Sequence, residues 1–219
     1  MIIICYSFIE KENHALLIRR YLKVFSINFQ NKILRYKIWS DAQLSILGRI
    51  MLFDIVKNKF NIIVNDNDIE FIKNNKPVFK DIKIHFNISH SLHISTCVVT
   101  KNGRIGVDIE KIGDNKFEDF AFCFTDKEKD KICESAEKSH LIVDIWTKKE
   151  SLIKLLGEGL MIPLNKIETE CGNDNLVIYN SQIFNIKKIH IANDYCCYIC
   201  SEFPITNIYL KEFVPDIKN

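Results

Sequence analysis

Twice along this chain a strongly periodic helical segment is followed by a stretch of short strands, and that order limits the folds open to it. Leu44, Leu47, Ile50, Met51 and Ile55 recur at three- and four-residue steps, which predicts a helix over 41–58 with one buried stripe and Asp41 as its start signal. A second such helix is predicted over 141–156, stopped by Gly157-Glu158-Gly159 and kept stopped by Pro163. After the first helix, 84–89 alternates apolar and polar residues and 95–100 is rich in strand formers; Asn102-Gly103 then reads as a hairpin turn returning the chain through Arg104 to Glu110. After the second, 176–179, 183–191 and 195–200 read as antiparallel strands, while 11–24 and 126–138 are further helical segments. Ile62-Ile63-Val64 reads as a short apolar stretch ending in a turn at Asn65-Asp66-Asn67-Asp68. The expected architecture is α+β: two similar α/β halves, 1–103 and 104–219, joined near residues 101–106.

At 219 residues the chain suits one large domain or two small ones, and 47% hydrophobic with 26% charged residues is an ordinary globular balance. A net charge of +2 argues against a polyanion binder, so no nucleic-acid partner is expected. No apolar run reaches the ~18 residues of a membrane span. Met1 to Phe8 reads as a first buried strand rather than a leader, which points to the cytoplasm. The eight cysteines lie mostly in apolar segments, as free thiols packed like small hydrophobes do.

The chemistry gathers at Asp108 and Glu110, in Gly106-Val107-Asp108-Ile109-Glu110, and at the later helix Trp146-Thr147-Lys148-Lys149-Glu150-Ser151-Leu152-Ile153-Lys154. In a strand Asp108 and Glu110 share one face and Val107 and Ile109 the other. On the helix Ile145, Leu152 and Leu156 form the buried arc, with Trp146, Glu150 and Lys154 in a line beside it and Glu150 stacked over Lys154. Lys149 falls close to the buried arc, an odd place for a cation unless its ammonium reaches a partner. Taken singly these are a solvated strand face and an ordinary surface ion pair. If strand and helix pack, carboxylates about 4 Å apart repel by roughly 4 kcal/mol per pair at an effective dielectric near 20. A magnesium ion, which takes oxygen ligands and substrate phosphates, relieves that repulsion.

Phe86-Asn87-Ile88-Ser89-His90-Ser91, then Gly106 to Glu110, then Trp146 to Lys154 with Gly157-Glu158-Gly159-Leu160, resembles the 4′-phosphopantetheinyl transferase superfamily in order and spacing. Total length is similar to its larger, Sfp-type branch, and Lys76-Pro77 resembles the family's Gly-Lys-Pro element with Asn75 in place of glycine. The resemblance implies a pseudo-dimer fold with coenzyme A in the cleft between the halves, and a monomer. It implies transfer of the phosphopantetheine arm of coenzyme A to a serine of an apo acyl or peptidyl carrier protein, releasing 3′,5′-ADP. Asp108, Glu110 and Glu150 match the family's magnesium ligands, and Lys154 the lysine on the pyrophosphate. Ser89, His90, Lys76 and Lys32 match donor-binding positions, and Lys149 is assigned with them. Glu150 is the first choice for the proton acceptor and Glu128 the second. The carrier is expected near 116–124, where Phe117, Phe120, Phe122 and Phe124 read equally well as core.

One departure stands out: the family's His-Arg pair, whose arginine meets the 3′-phosphate, is Gln43-Leu44 here. Either Arg35, Lys37 or Arg49 substitutes, or the preference for coenzyme A over its 3′-dephospho form is weak. Two other classes fit some of the residues: a magnesium-dependent nuclease using Asp108, Glu110 and Lys154, and a silent carrier-binding module.

Overall fold

The structure is a computed structural model that describes residues 1–169, 171–172 and 174–217. In order, its elements are β1 (Ile2–Phe8), α1 (His14–Tyr21), α2 (Ile27–Arg35), α3 (Trp39–Phe60), β2 (Ile69–Phe71), β3 (Pro77–Phe79), β4 (His85–Ser91), β5 (Ile94–Thr100), β6 (Ile105–Lys111), α4 (Phe117–Phe120), α5 (Asp126–Glu134), α6 (Lys138–Leu156), β7 (Leu176–Tyr179), β8 (Gln182–Lys188), β9 (Tyr195–Ser201) and β10 (Ile208–Glu212), with short 3-10 turns between. Two four-stranded sheets form, in orders β10-β1-β5-β4 and β6-β9-β8-β7. The inner faces of the sheets share one apolar cluster, with Ile2, Ile4, Ile94 and Val98 from the first meeting Val107, Ile109, Cys197 and Ile199 from the second. On the outer faces α3 covers the first sheet through Met51, Leu52, Ile55 and Val56, and α6 covers the second through Ile145, Leu152 and Leu155. This is the mixed α/β, two-half architecture expected, layered helix, sheet, sheet, helix.

The two principal helices form where the periodicity places them, but α3 is buried on nearly every side rather than along one stripe. Ala42, Gln43, Ile46, Gly48, Arg49, Leu52 and Val56 are buried together with the expected leucines and isoleucines. The cause is a second layer: α1 and α2 lay Leu17, Phe29 and Ile33 against Leu44, Leu47 and Ile50, so the helix is sandwiched. Gly48 lets it close on β4, since a Cβ there would fall 2.7 Å from Ile88 Cγ2. Both helices end on left-handed residues, Asn61 (φ 58°) and Gly157 (φ 75°). The α2 helix was not anticipated, although Ser26 accepts the Phe29 N–H at 3.3 Å as an ordinary N-cap. Ile62-Ile63-Val64 carries no strand.

Two findings differ from the expected strand pairing. Asn102-Gly103 does turn the chain, but β6 does not pair with β5: both edges of β5 are taken, by β1 and β4, and β6 crosses to pair antiparallel with β9. Gly103 has φ +128°, and a Cβ there would lie 2.1 Å from Phe203 Cε2. Second, β10 leaves the second half in sequence and pairs parallel with β1, matching Ile2 to Ile208 and Tyr6 to Glu212.

The sheets also meet edge to edge at β4 and β6, with side chains standing in for backbone pairing. Asn87 Oδ1 accepts the Val107 N–H at 2.9 Å, Ser89 Oγ the Ile109 N–H at 3.4 Å, and Ser91 Oγ the Lys111 N–H at 3.1 Å. Alternation in both strands makes every second residue of β4 serve every second amide of β6.

Candidate active site

Strand alternation in β6 sends Val107 and Ile109 into the inter-sheet core and turns Gly106, Asp108 and Glu110 toward α6. Gly106 is what admits the helix: a Cβ there would lie 2.1 Å from Ser151 O and 2.5 Å from Leu155 N. Backbone thus lies on backbone, and the α6 line that carries Glu150 and Lys154 comes down beside the two acids. Lys154 Nζ is 2.6 Å from Asp108 Oδ1 and 2.7 Å from Ser89 Oγ. Ser89 Oγ in turn donates to Asp108 Oδ1 at 2.9 Å, and Ser91 Oγ donates to Glu110 Oε2 at 2.9 Å. Lys154 therefore pairs across to the strand, not with Glu150 one turn back. Asp108 is the more deeply buried carboxylate of the two, 1% exposed.

Electrostatically the three acids form one group. Burial raises the Asp108 pKa, opposed by Lys154 and Ser89. Burial first and Asp108 second push Glu110 up to about 6, against the hydrogen bonds from Ser91 and Trp146. The same two causes push Glu150 up to about 7, Lys154 opposing. Asp108 Oδ2 and Glu150 Oε1 are buried without a hydrogen-bond partner, a costly condition for carboxylate oxygens. Two orphaned hard oxygens with a third carboxylate beside them suit an oxygen-loving cation. However, among the described residues no three His, Cys, Asp or Glu side chains converge as a ready metal cage. The Lys154 ammonium sits on Asp108 Oδ1 instead.

The cleft next to this group is a cavity of about 270 Å³ lined by Asn74, Lys76, Asn87, Glu150, Lys154 and Gly157. Lys76 Nζ donates to Leu155 O at 2.6 Å and Asn74 Nδ2 to Gly157 O at 3.2 Å, so the loop before β3 caps the C-terminal end of α6. Burial lowers the Lys76 pKa to about 8, with Arg104 adding to it. His90 lies on the opposite face of β4 from Ser89 and is exposed. The surrounding protein mass still lowers its pKa, helped by Lys154 and Lys32 and opposed by Asp41. Lys32 is exposed on α2 and borders a separate cavity of about 400 Å³ with Arg49 and Lys80.

Lys149 and Glu128 do not join this group. They are 0% exposed and paired, Lys149 Nζ lying 2.5 Å from Glu128 Oε2, 2.8 Å from Cys123 O and 3.0 Å from Leu164 O. Those three acceptors use every proton of the ammonium, leaving none for a donor molecule. Glu128 also accepts from Thr125 N at 2.8 Å and Thr169 Oγ1 at 2.6 Å, so it is neither a solvated helix charge nor a free base. Leu44 is 3% exposed in the α1–α2–α3 core, and Arg49 is tied to Asp66 at 3.1 Å and laid over the Phe29 ring at 4.8 Å. Arg35 and Lys37 remain exposed. Of the four phenylalanines, Phe124 is core, Phe117 and Phe120 pack against it, and Phe122 is 70% exposed. Six of the eight cysteines are buried, and none of the eight is in a disulfide. No helix among the described residues is long and apolar enough to cross a membrane. Sequence reasoning gave no role to Asn74, Asn87 or Ser91; the every-second-residue polar spacing of 87, 89 and 91 was the available signal.

Comparison with known proteins identifies the family. The model of the 4′-phosphopantetheinyl transferase superfamily matches residues 104–200, and that of 4′-phosphopantetheinyl transferase, N-terminal, matches residues 14–101. The chain belongs to the 4′-phosphopantetheinyl transferase superfamily and is a transferase of that type. It is 33% identical to 4′-phosphopantetheinyl transferase gsp of Aneurinibacillus migulanus, over 84% of this chain and 79% of that one. It is 27% identical to 4′-phosphopantetheinyl transferase Sfp of Bacillus subtilis (strain 168), over 72% of this chain and 71% of that one. A human relative, L-aminoadipate-semialdehyde dehydrogenase-phosphopantetheinyl transferase, is 30% identical over 63% of this chain and 50% of its own length.

Proposed function

We infer that this protein takes the 4′-phosphopantetheine group from coenzyme A and places it on a serine hydroxyl of an apo acyl or peptidyl carrier protein. The pyrophosphate P–O bond breaks, 3′,5′-ADP leaves, and a new P–O bond to the serine forms. The observation that carries this reading is the buried acid group beside a cleft, with Asp108 Oδ2 and Glu150 Oε1 unpartnered and Lys154 alongside. Phosphoryl transfer asks a protein for positioning and charge neutralisation more than for covalent chemistry, and this group offers both. Asp108, Glu110 and Glu150 would hold a magnesium ion, which would supply charge neutralisation at the diphosphate. Lys154 stabilises the leaving oxygen's charge. Lys76, His90 and Lys32 hold the nucleotide end, while the Ser89 hydroxyl, already shared among Asp108, Lys154 and the Ile109 N–H, fixes the acid group. Glu150, the helix acid nearest the strand carboxylates, accepts the serine proton directly or through water. The protein works as a monomer in the cytoplasm.

Incubating the protein with an apo carrier, coenzyme A and magnesium and weighing the carrier tests the reading. A gain of about 340 Da, abolished by EDTA and restored by magnesium, is expected; an unchanged carrier mass overturns it. Because Leu44 is core and Arg49 is already paired, initial rates with the two donors are expected to show a weak preference for coenzyme A over its 3′-dephospho form. A strong preference for coenzyme A assigns the 3′-phosphate to another cation.

A further inference from the structure

We propose that Ser91 is a positioning residue for this transfer, orienting the Glu110 carboxylate toward the cation; the proposal rests on the transferase reading above. A serine hydroxyl has one proton and two lone pairs. The Lys111 N–H takes a lone pair of Ser91 at 3.1 Å, and the proton is directed at Glu110 Oε2, 2.9 Å away. That fixes one carboxylate oxygen and leaves Oε1 for another partner.

Asp108 and Glu110 differ in how they are held. Asp108 has both Ser89 and the Lys154 ammonium on Oδ1. Glu110 makes no ion pair among the described residues. Its orientation depends on the Ser91 hydroxyl. Ser91 belongs to β4, in the other sheet, so the contact also makes the acid's direction depend on how the two halves are seated. Removing a hydrogen-bond partner of a metal-binding side chain typically lowers metal affinity 10–100-fold.

The test uses the full chain with coenzyme A bound and reads Mg2+ affinity by calorimetry, beside the Mg2+ dependence of carrier modification. Ser91→Ala is expected to weaken Mg2+ binding about 10-fold or more, and the near-isosteric Ser91→Cys to do the same if the alanine variant folds poorly. Ser91→Thr, which keeps the hydroxyl, is expected to restore it. Thr125→Ala, which removes the N-cap of α5, serves as the stability control: Tm falls while Mg2+ affinity stays at the native value. Native Mg2+ affinity in both Ser91→Ala and Ser91→Cys overturns the proposal while leaving the transferase reading intact. A native protein that modifies no carrier overturns both.

Discussion

Replacing Asp108 with asparagine is expected to lower carrier-modification turnover by about 10²–10³-fold, on the scale of losing one precisely aimed electrostatic partner. The substitution is nearly isosteric, and the residue is 1% exposed, so the packing around β6 is retained. What disappears is the charge that Lys154 pairs with at 2.6 Å and that raises the pKa values of Glu110 and Glu150. Stability responds in two opposing directions. Repulsion among the three acids is relieved, while Lys154, 29% exposed, loses its partner and turns to water. Thermal unfolding is therefore expected to change little. Measuring kcat on one apo carrier together with Tm separates the two effects. Undiminished turnover in Asp108→Asn would remove the acid group from the mechanism.

The second large effect concerns folding. Glu128→Ala or Lys149→Met, each leaving one buried ion without its mate, is expected to destabilise by about 3–5 kcal/mol, roughly 10 °C in Tm for a chain of this size. The Lys149 ammonium holds Cys123 O and Leu164 O, and Glu128 holds Thr169, so either change also releases the turns around Cys123 and Leu164 from α6. The double variant Glu128→Leu with Lys149→Met removes both ions and is expected to recover much of the loss. Urea unfolding of the three variants measures this. A single-variant loss below about 1 kcal/mol would show that the pair is compensated elsewhere.

Strand alternation placed Asp108 and Glu110 on one face, and helical period put Glu150 and Lys154 on one line; both are local rules and both hold. The odd position of Lys149 on the buried arc was visible as well, but its partner was not. Glu128 lies 21 residues away in sequence and meets it only through the packing of α5 on α6. Lys154 likewise had a local choice, Glu150, and a distant one, Asp108, and the distant one prevailed. The hairpin at Asn102-Gly103 failed for the same kind of reason. A turn signal reports that the chain reverses, not which edges are free when it arrives, and those of β5 were taken. No alternation marked β10, since Tyr209 to Glu212 are all exposed and only backbone pairing recruits them.

That last strand sets the order in which a ribosome-bound chain can complete its halves. Ile2 cannot meet Ile208 until some two hundred intervening residues have emerged, whereas β6 to β9 can pair as soon as Ser201 is out. The half made last closes first, and the half made first waits with one flank of β1 unpaired. Such an unpaired flank is the surface on which nascent chains associate wrongly. Pairing across so long a separation is also slow, so seating β10 becomes the late event of maturation.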